Sequence, residues 1–177
     1  DSEYGPAEER EFEALLAGVE WPPTLVRLSL NDCQWFESDA PDDEDKVYQV
    51  MPSSKVDQLC RFTDTQGFRL LFHLEFNQQV IYYAERPFRV PNPFADVDEP
   101  PYVVPSHLMV LQDGRVVLID LVPPGESMYA LYSPRRLALW FYCLQEEYGL
   151  LVTDGRDTAH SHSQWSIRGG VRPLVTM

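Results

Sequence analysis

The chain has 177 residues, 44% of them apolar, and a formal net charge of −14; this is enough apolar material for one core and argues against a second folding unit. Residues 1–50 carry fourteen acids against three bases, net −11, whereas residues 51–177 carry fourteen against eleven, net −3. Such a balance repels phosphate backbones and excludes strong nonspecific nucleic-acid binding by the isolated chain.

In chain order, Ala7 to Val19 predicts a short amphipathic helix with Phe12, Leu15, Leu16 and Val19 on one face, stopped near Pro22-Pro23. Thr24 to Leu30 alternates as a strand does, and Ser38 to Lys46 is an acidic loop. Together they make an acidic extension over 1–50, ahead of a core over 51–155 and a polar tail over 156–177. From Ser53 or Ser54 as N-cap, the positions Val56, Leu59, Cys60, Thr63, Gly67, Leu70, Leu71 and Leu74 recur at helical spacing, which predicts one long helix ending near Phe76. Gly67 costs that helix about 1 kcal/mol against alanine and marks a break or a close helix-to-sheet contact.

Val80 to Ala84 reads as a strand, with Pro87 to Val90 as its continuation or a partner across a bend, and Pro91 to Pro101 as a loop. Tyr102–Gln112 and Arg115–Val122 predict a hairpin closed by Asp113-Gly114 as a two-residue turn, with a bulge or an edge at Pro105. Ser133-Pro134 supplies a cap and an N1 proline for a helix that buries Leu137, Trp140, Phe141, Leu144 and Tyr148 and ends at Gly149. Leu150 to Thr153 is the last strand. The alternation of elements gives an α/β protein with a mixed central sheet flanked by helices.

Three cysteines, Cys33, Cys60 and Cys143, are odd in number and form no CxxC pair, so reduced thiols are expected, with neither a disulfide framework nor a zinc site. No apolar run approaches the roughly 18 residues of a membrane span, and residues 1–10 lack a signal-peptide pattern; the expectation is a cytoplasmic protein with no membrane contact. His160-Ser161-His162 has half the spacing of a metal site and reads as polar tail. Arg135 and Arg136, at a helix start, read as a solvated face with phosphate contact as the other role.

The runs LLFHLEFNQQVIYYAERPFRV, YVVPSHLMVLQDGRVVLIDLV and SPRRLALWFYCLQEEYGLLVTDG, over about 53–155, resemble the PD-(D/E)XK nuclease superfamily and, within it, TnsA-like endonucleases of transposons. The resemblance implies a restriction-endonuclease-like core and a catalytic set of a helix glutamate, a proline-aspartate pair and an acid-x-lysine triplet. Hydrolysis there needs oxygen ligands for Mg²⁺ and a lysine that orients water and offsets charge. At the matching positions this chain has Gln66 or Gly67 for the glutamate, Pro105-Ser106 for the pair, and Asp120-Leu121-Val122 for the triplet. Asp120 is thus the one surviving acid, and Lys46 and Lys55 are the only lysines in the chain. Glu75 and Glu85 read as surface carboxylates at element ends, and His107 as a strand side chain facing solvent.

The resemblance, with these departures from its catalytic set, implies a catalytically inactive nuclease-like domain with no metal and no cofactor, serving as a protein-interaction subunit of a DNA-processing assembly in transposition or defence. A protein partner then supplies the DNA-binding charge. Trp21, Trp35 and Trp165, in the two extensions, are the candidate interface anchors. Two alternatives stand beside this: an Mg²⁺-dependent endonuclease with a rearranged site around Asp120, and an acidic mimic of DNA.

Overall fold

A computed structural model describes residues 4–23, 47–122 and 133–154. The strand expected over 24–30, the acidic loop over 38–46, the segment 123–132 and the tail over 156–177 lie outside the described residues.

Helix α1 spans Pro6–Ala17. Proline at N1 costs no hydrogen bond there, the Gly5 N–H donates to Glu8 Oε2 at 3.1 Å, and Glu8 and Glu9 oppose the positive end of the helix dipole. Its buried residues Phe12 and Leu15, followed by Val19, join the same apolar cluster as the sheet. The segment read as an extension therefore contributes to the core at this end.

The long helix expected over 53–76 is two different things. Its first part is a hairpin, β1 (Gln49–Ser53) antiparallel to β2 (Gln58–Phe62), and only Thr65–Phe76 is helical, as α2. The cap is Asp64, whose carboxylate accepts from the Gly67 N–H at 2.8 Å. Ser53 is no helix cap: its hydroxyl accepts the N–H groups of Lys55 at 3.2 Å and Val56 at 3.3 Å, which closes the β1–β2 turn instead. The apolar spacing misleads because Cys60 is buried by strand alternation while Leu59, beside it, is exposed. Gly67 is the close contact anticipated, since a Cβ there would stand 3.2 Å from Phe62 Cβ.

The central sheet has the order β3-β6-β7-β8, where β3 is Val80–Glu85, β6 His107–Leu111, β7 Val116–Leu121 and β8 Gly149–Thr153. Its first two pairings are antiparallel and β7–β8 is parallel, reached through helix α3 (Pro134–Glu146). Pro87 to Val90 does not extend β3; Val90–Pro91 (β4) pairs with Tyr102–Val103 (β5), and Pro105 ends β5 before β6 begins. The hairpin loop holds three residues where two were expected: Gly114 N–H donates to Leu111 O at 2.9 Å, Leu111 N–H donates to Arg115 O at 2.8 Å, and Gly114 takes φ 87°.

Strand alternation sorts the core into two clusters. Tyr83, Met109, Val117, Ile119 and Leu151 face α1 and α2, with Phe12, Leu70, Leu71 and Leu74. Leu108, Val110, Val116, Leu118 and Leu150 face α3, with Ala138, Leu139, Trp140 and Cys143. The result is a three-layer arrangement, helices on both faces of a mixed sheet. On α3, Phe141 (48% exposed) and Leu144 (38% exposed) lie outward, contrary to expectation. The face is turned by one position because the small Ala138 and Cys143 let the helix approach the sheet.

Gly149 does not end α3. Glu147 takes the left-handed conformation there (φ 60°, ψ 36°), and Gly149 opens β8 with no side chain because a Cβ would lie 2.7 Å from Val19 Cγ1 and 2.8 Å from Trp21 Cζ3. Gly149→Ala is expected to destabilise the chain by about 1–3 kcal/mol in urea unfolding. Combined with Trp21→Leu it should cost less than the sum of the two changes; full additivity would show that Trp21 does not press on β8.

Candidate functional site at one end of the sheet

Polar residues gather where β6 begins and where β7 and β8 end. Register places His107 opposite Ile119, Asp120 beside Val152 and Leu121 beside Thr153. Ser106, His107, Asp120 and Thr153 thus share one end of an otherwise apolar sheet, and Arg135 and Arg136 reach it from the first turn of α3.

Asp120 is 4% exposed. By alternation it follows Val116 and Leu118 onto the α3 face, where a bare carboxylate is strongly disfavoured. Arg135 meets it with two nitrogens, Nε at 3.0 Å and Nη2 at 2.9 Å from Oδ1, and Arg136 Nε lies 3.8 Å from Oδ2. Arg135 Nη2 also donates to Val104 O at 2.7 Å, so one guanidinium ties β7 to the β5–β6 connection. Two arginines in the first turn of a helix oppose its dipole, and the buried carboxylate offsets them. The solvated face expected for Arg135 and Arg136 is instead this ion pair, with Arg136 itself only 7% exposed. Ser133 caps α3 by accepting from the Arg136 N–H at 3.3 Å, which sets where both guanidinium groups start.

The residues matched to a catalytic set fit a divalent cation poorly. Ser106 Oγ accepts from the Leu121 N–H at 2.9 Å and serves as a backbone tie. Val122 is buried at 2% and supplies no charge. Gln66 belongs to α2, on the opposite face of the sheet from Asp120, and neither Nε2 nor Oε1 of its buried amide has a hydrogen-bond partner among the described residues. Among the described residues no three of His, Cys, Asp and Glu converge as metal ligands. A cation at Asp120 Oδ1 would have to displace Arg135, two nitrogens of which already meet that one oxygen.

Glu75 and Glu85 are not free surface carboxylates. Glu75 is 8% exposed and accepts from Ser53 Oγ (2.6 Å), Tyr83 Oη (2.6 Å), Ser54 N (2.9 Å) and Ser54 Oγ (2.9 Å). Burial raises its pKa, but these four hydrogen bonds outweigh burial and leave it below the ordinary value. Glu85 accepts from Arg61 N at 3.1 Å and Arg61 Nε at 3.0 Å. The two glutamates therefore bind the β1–β2 hairpin to α2 and β3. Lys55 completes this joint, donating to Leu74 O at 2.8 Å and Asn77 O at 2.6 Å at the C-terminal end of α2, with burial lowering its pKa to about 8.

His107 does not face solvent. It is 7% exposed, its two ring nitrogens have no hydrogen-bond partner among the described residues, and burial lowers its pKa to about 4. None of this was visible in the sequence. Glu75 and Ser53 are 22 residues apart, and nothing local signals their contact. The one available signal was Arg135 behind an N1 proline, which fixes its place at a helix start.

Trp21 is half-buried, with Arg115 stacked 4.5 Å over its ring, and packs against β8. Trp35, Trp165, Cys33, His160 and His162 lie outside the described residues. Among the described residues no helix is long and apolar enough to cross a membrane.

Two measurements probe this end of the sheet. Asp120→Asn removes the buried negative charge that Arg135 and Arg136 meet at the end of β7 and is expected to cost about 2 kcal/mol or more. His107 is held neutral, with a folded pKa of about 4 against an ordinary 6.5, so its contribution is fully present above pH 6.5 and is lost as pH falls toward 4. Urea midpoints should therefore decline across that window with a slope up to about 1.4 kcal/mol per pH unit per histidine. His107→Leu should reduce the slope and leave the part due to His73, whose pKa burial also lowers. An unchanged slope would mean that His107 is solvated.

In comparisons with known proteins the chain matches no protein-family model and no curated sequence.

Proposed function

We propose that this chain is a nuclease-like domain without nuclease activity, working through protein contact as a subunit of a DNA-processing assembly in transposition or defence. The observation that carries the reading is the state of Asp120. The acid at the superfamily's acid-x-lysine position is buried against Arg135, with a valine in place of the lysine. A carboxylate whose Oδ1 already meets two nitrogens of Arg135, with Arg136 beside it, is poorly placed to ligate a metal ion.

The arrangement of elements supports nuclease ancestry. Helix α2, strand β3, the β6–β7 hairpin, helix α3 and the parallel strand β8 follow the order that the resemblance implies, and β6–β7 forms the middle of the sheet. The charge supports a partner. With a formal net charge of −14, the chain requires another subunit to hold DNA.

An assay with Mg²⁺ and with Mn²⁺ on linear, branched and single-stranded DNA is expected to give no cleavage above that of Asp120→Ala. Cleavage that disappears in the variant would overturn the reading in favour of a rearranged endonuclease.

A further inference from the structure

We infer that the outer face of α2, together with the groove between α1 and the end of α2, docks an amphipathic, basic helix of a partner protein. This rests on the interaction role proposed above and names its surface and the chemistry of its occupant.

The face is a continuous row of aromatic rings. Phe68, Phe72 and Phe76 recur every four residues along α2 and contact one another in turn, with ring centroids 6.4 Å and 4.8 Å apart. Phe62 of β2 extends the row beyond Phe68 at 5.2 Å, and Tyr4 flanks Phe72 at 6.0 Å. Phe68, Phe72 and Phe76 stand outside the core cluster, which α2 joins through Leu70, Leu71 and Leu74, while Phe62 and Tyr4 pack against its edge. Phe68 is 41% exposed and Phe76 is 40% exposed. Half-exposed phenylalanines in a contiguous row cost solubility and mark interaction surfaces far more often than isolated ones do.

Beyond Phe76 the row opens into a groove of about 630 Å³ between α1 and the α2–β3 turn, lined by Tyr4, Glu9, Arg10, Glu13, Phe76 and Gln79 among others. On its α1 side the groove presents Glu9 and Glu13 against Arg10, with Glu13 accepting from Gln79 Nε2, and the helix as a whole carries four glutamates and one arginine. The nearest cation on α2, Arg69, is already paired with Glu11.

Shape and charge together select the occupant. A straight row with a four-residue repeat presents one ridge of a helix, which fits the groove of a second helix whose apolar residues follow the same repeat. Acids at one end of the row select lysine or arginine on that helix beside its apolar stripe. A second copy of this chain is a poor occupant, since it would bring two α1 helices and two strongly acidic chains face to face. Nucleic acid and anionic lipid are disfavoured for the same reason.

The test uses the full chain and a labelled helical peptide of leucine and lysine, with leucines along one face. A second peptide of the same composition with its leucines scattered serves as the control. Fluorescence anisotropy is expected to show the striped peptide binding at least about tenfold more tightly than the scattered one. Phe68→Ser with Phe76→Ser should remove that preference, and Phe76→Ser alone, at the last residue of α2, should reduce it if the double variant unfolds. Glu9→Gln with Glu13→Gln should weaken binding and flatten its salt dependence. Phe141→Ser, at an exposed phenylalanine on α3, should change nothing.

Equal binding of the two peptides, or equal loss in Phe141→Ser, would overturn the proposal in favour of general attraction to an acidic chain. Sedimentation showing a dimer that the Phe68 and Phe76 changes dissolve would overturn it in favour of self-association. The underlying functional reading fails separately, by DNA cleavage through Asp120, and that outcome leaves the peptide result untouched.

Discussion

The burial of both faces of the central sheet constrains everything else in this molecule. All five residues of β6 and all but the last residue of β7 are buried, so these two strands have no face on which a polar side chain meets water. A charge on them must find its partner within the protein or lose its charge. Asp120 meets that condition through α3, whose first turn is held in place by Ser133 and Pro134. The ion pair and the chain path are thus one device: the parallel crossover that carries β7 to β8 also delivers the arginines that neutralise the end of β7.

The same requirement explains the β1–β2 hairpin. The hairpin lies against α2 and β3, and its joint is polar, with Glu75 receiving four donors and Glu85 two from Arg61. Each carboxylate oxygen of Glu75 takes two hydrogen bonds, which compensates for its loss of water. His107 and Gln66 are the counterexample: both are buried, and among the described residues their side-chain polar atoms have no hydrogen-bond partner.

The aromatic row of α2 and the acids of α1 are carried by helices that the core fixes through Phe12, Leu15, Leu70, Leu71 and Leu74. A face set by the core before any contact would lose less entropy on binding the helix inferred above.

Local signals in the sequence determined most of the frame. Apolar spacing placed α1, Ser133 and Pro134 placed α3, alternation placed β3, β6, β7 and β8, and Asp113-Gly114 placed the central hairpin, because each depends on interactions within a few residues. The sequence alone also showed that Ser106 and Val122 replace the groups that the resemblance calls for. Tertiary structure decided the rest. It converted Ser53 to Phe62 from helix to hairpin, since a strand that buries Cys60 and ties Ser53 to Glu75 outweighs helical spacing. It turned α3 so that Phe141 faces outward, and it made Gly149 a point of close approach to Val19 and Trp21 rather than a helix stop. Above all it set Arg135 on Asp120, across 15 residues of chain. Pairing between residues far apart leaves no periodic trace in a sequence, and only packing reveals which charges have been brought together.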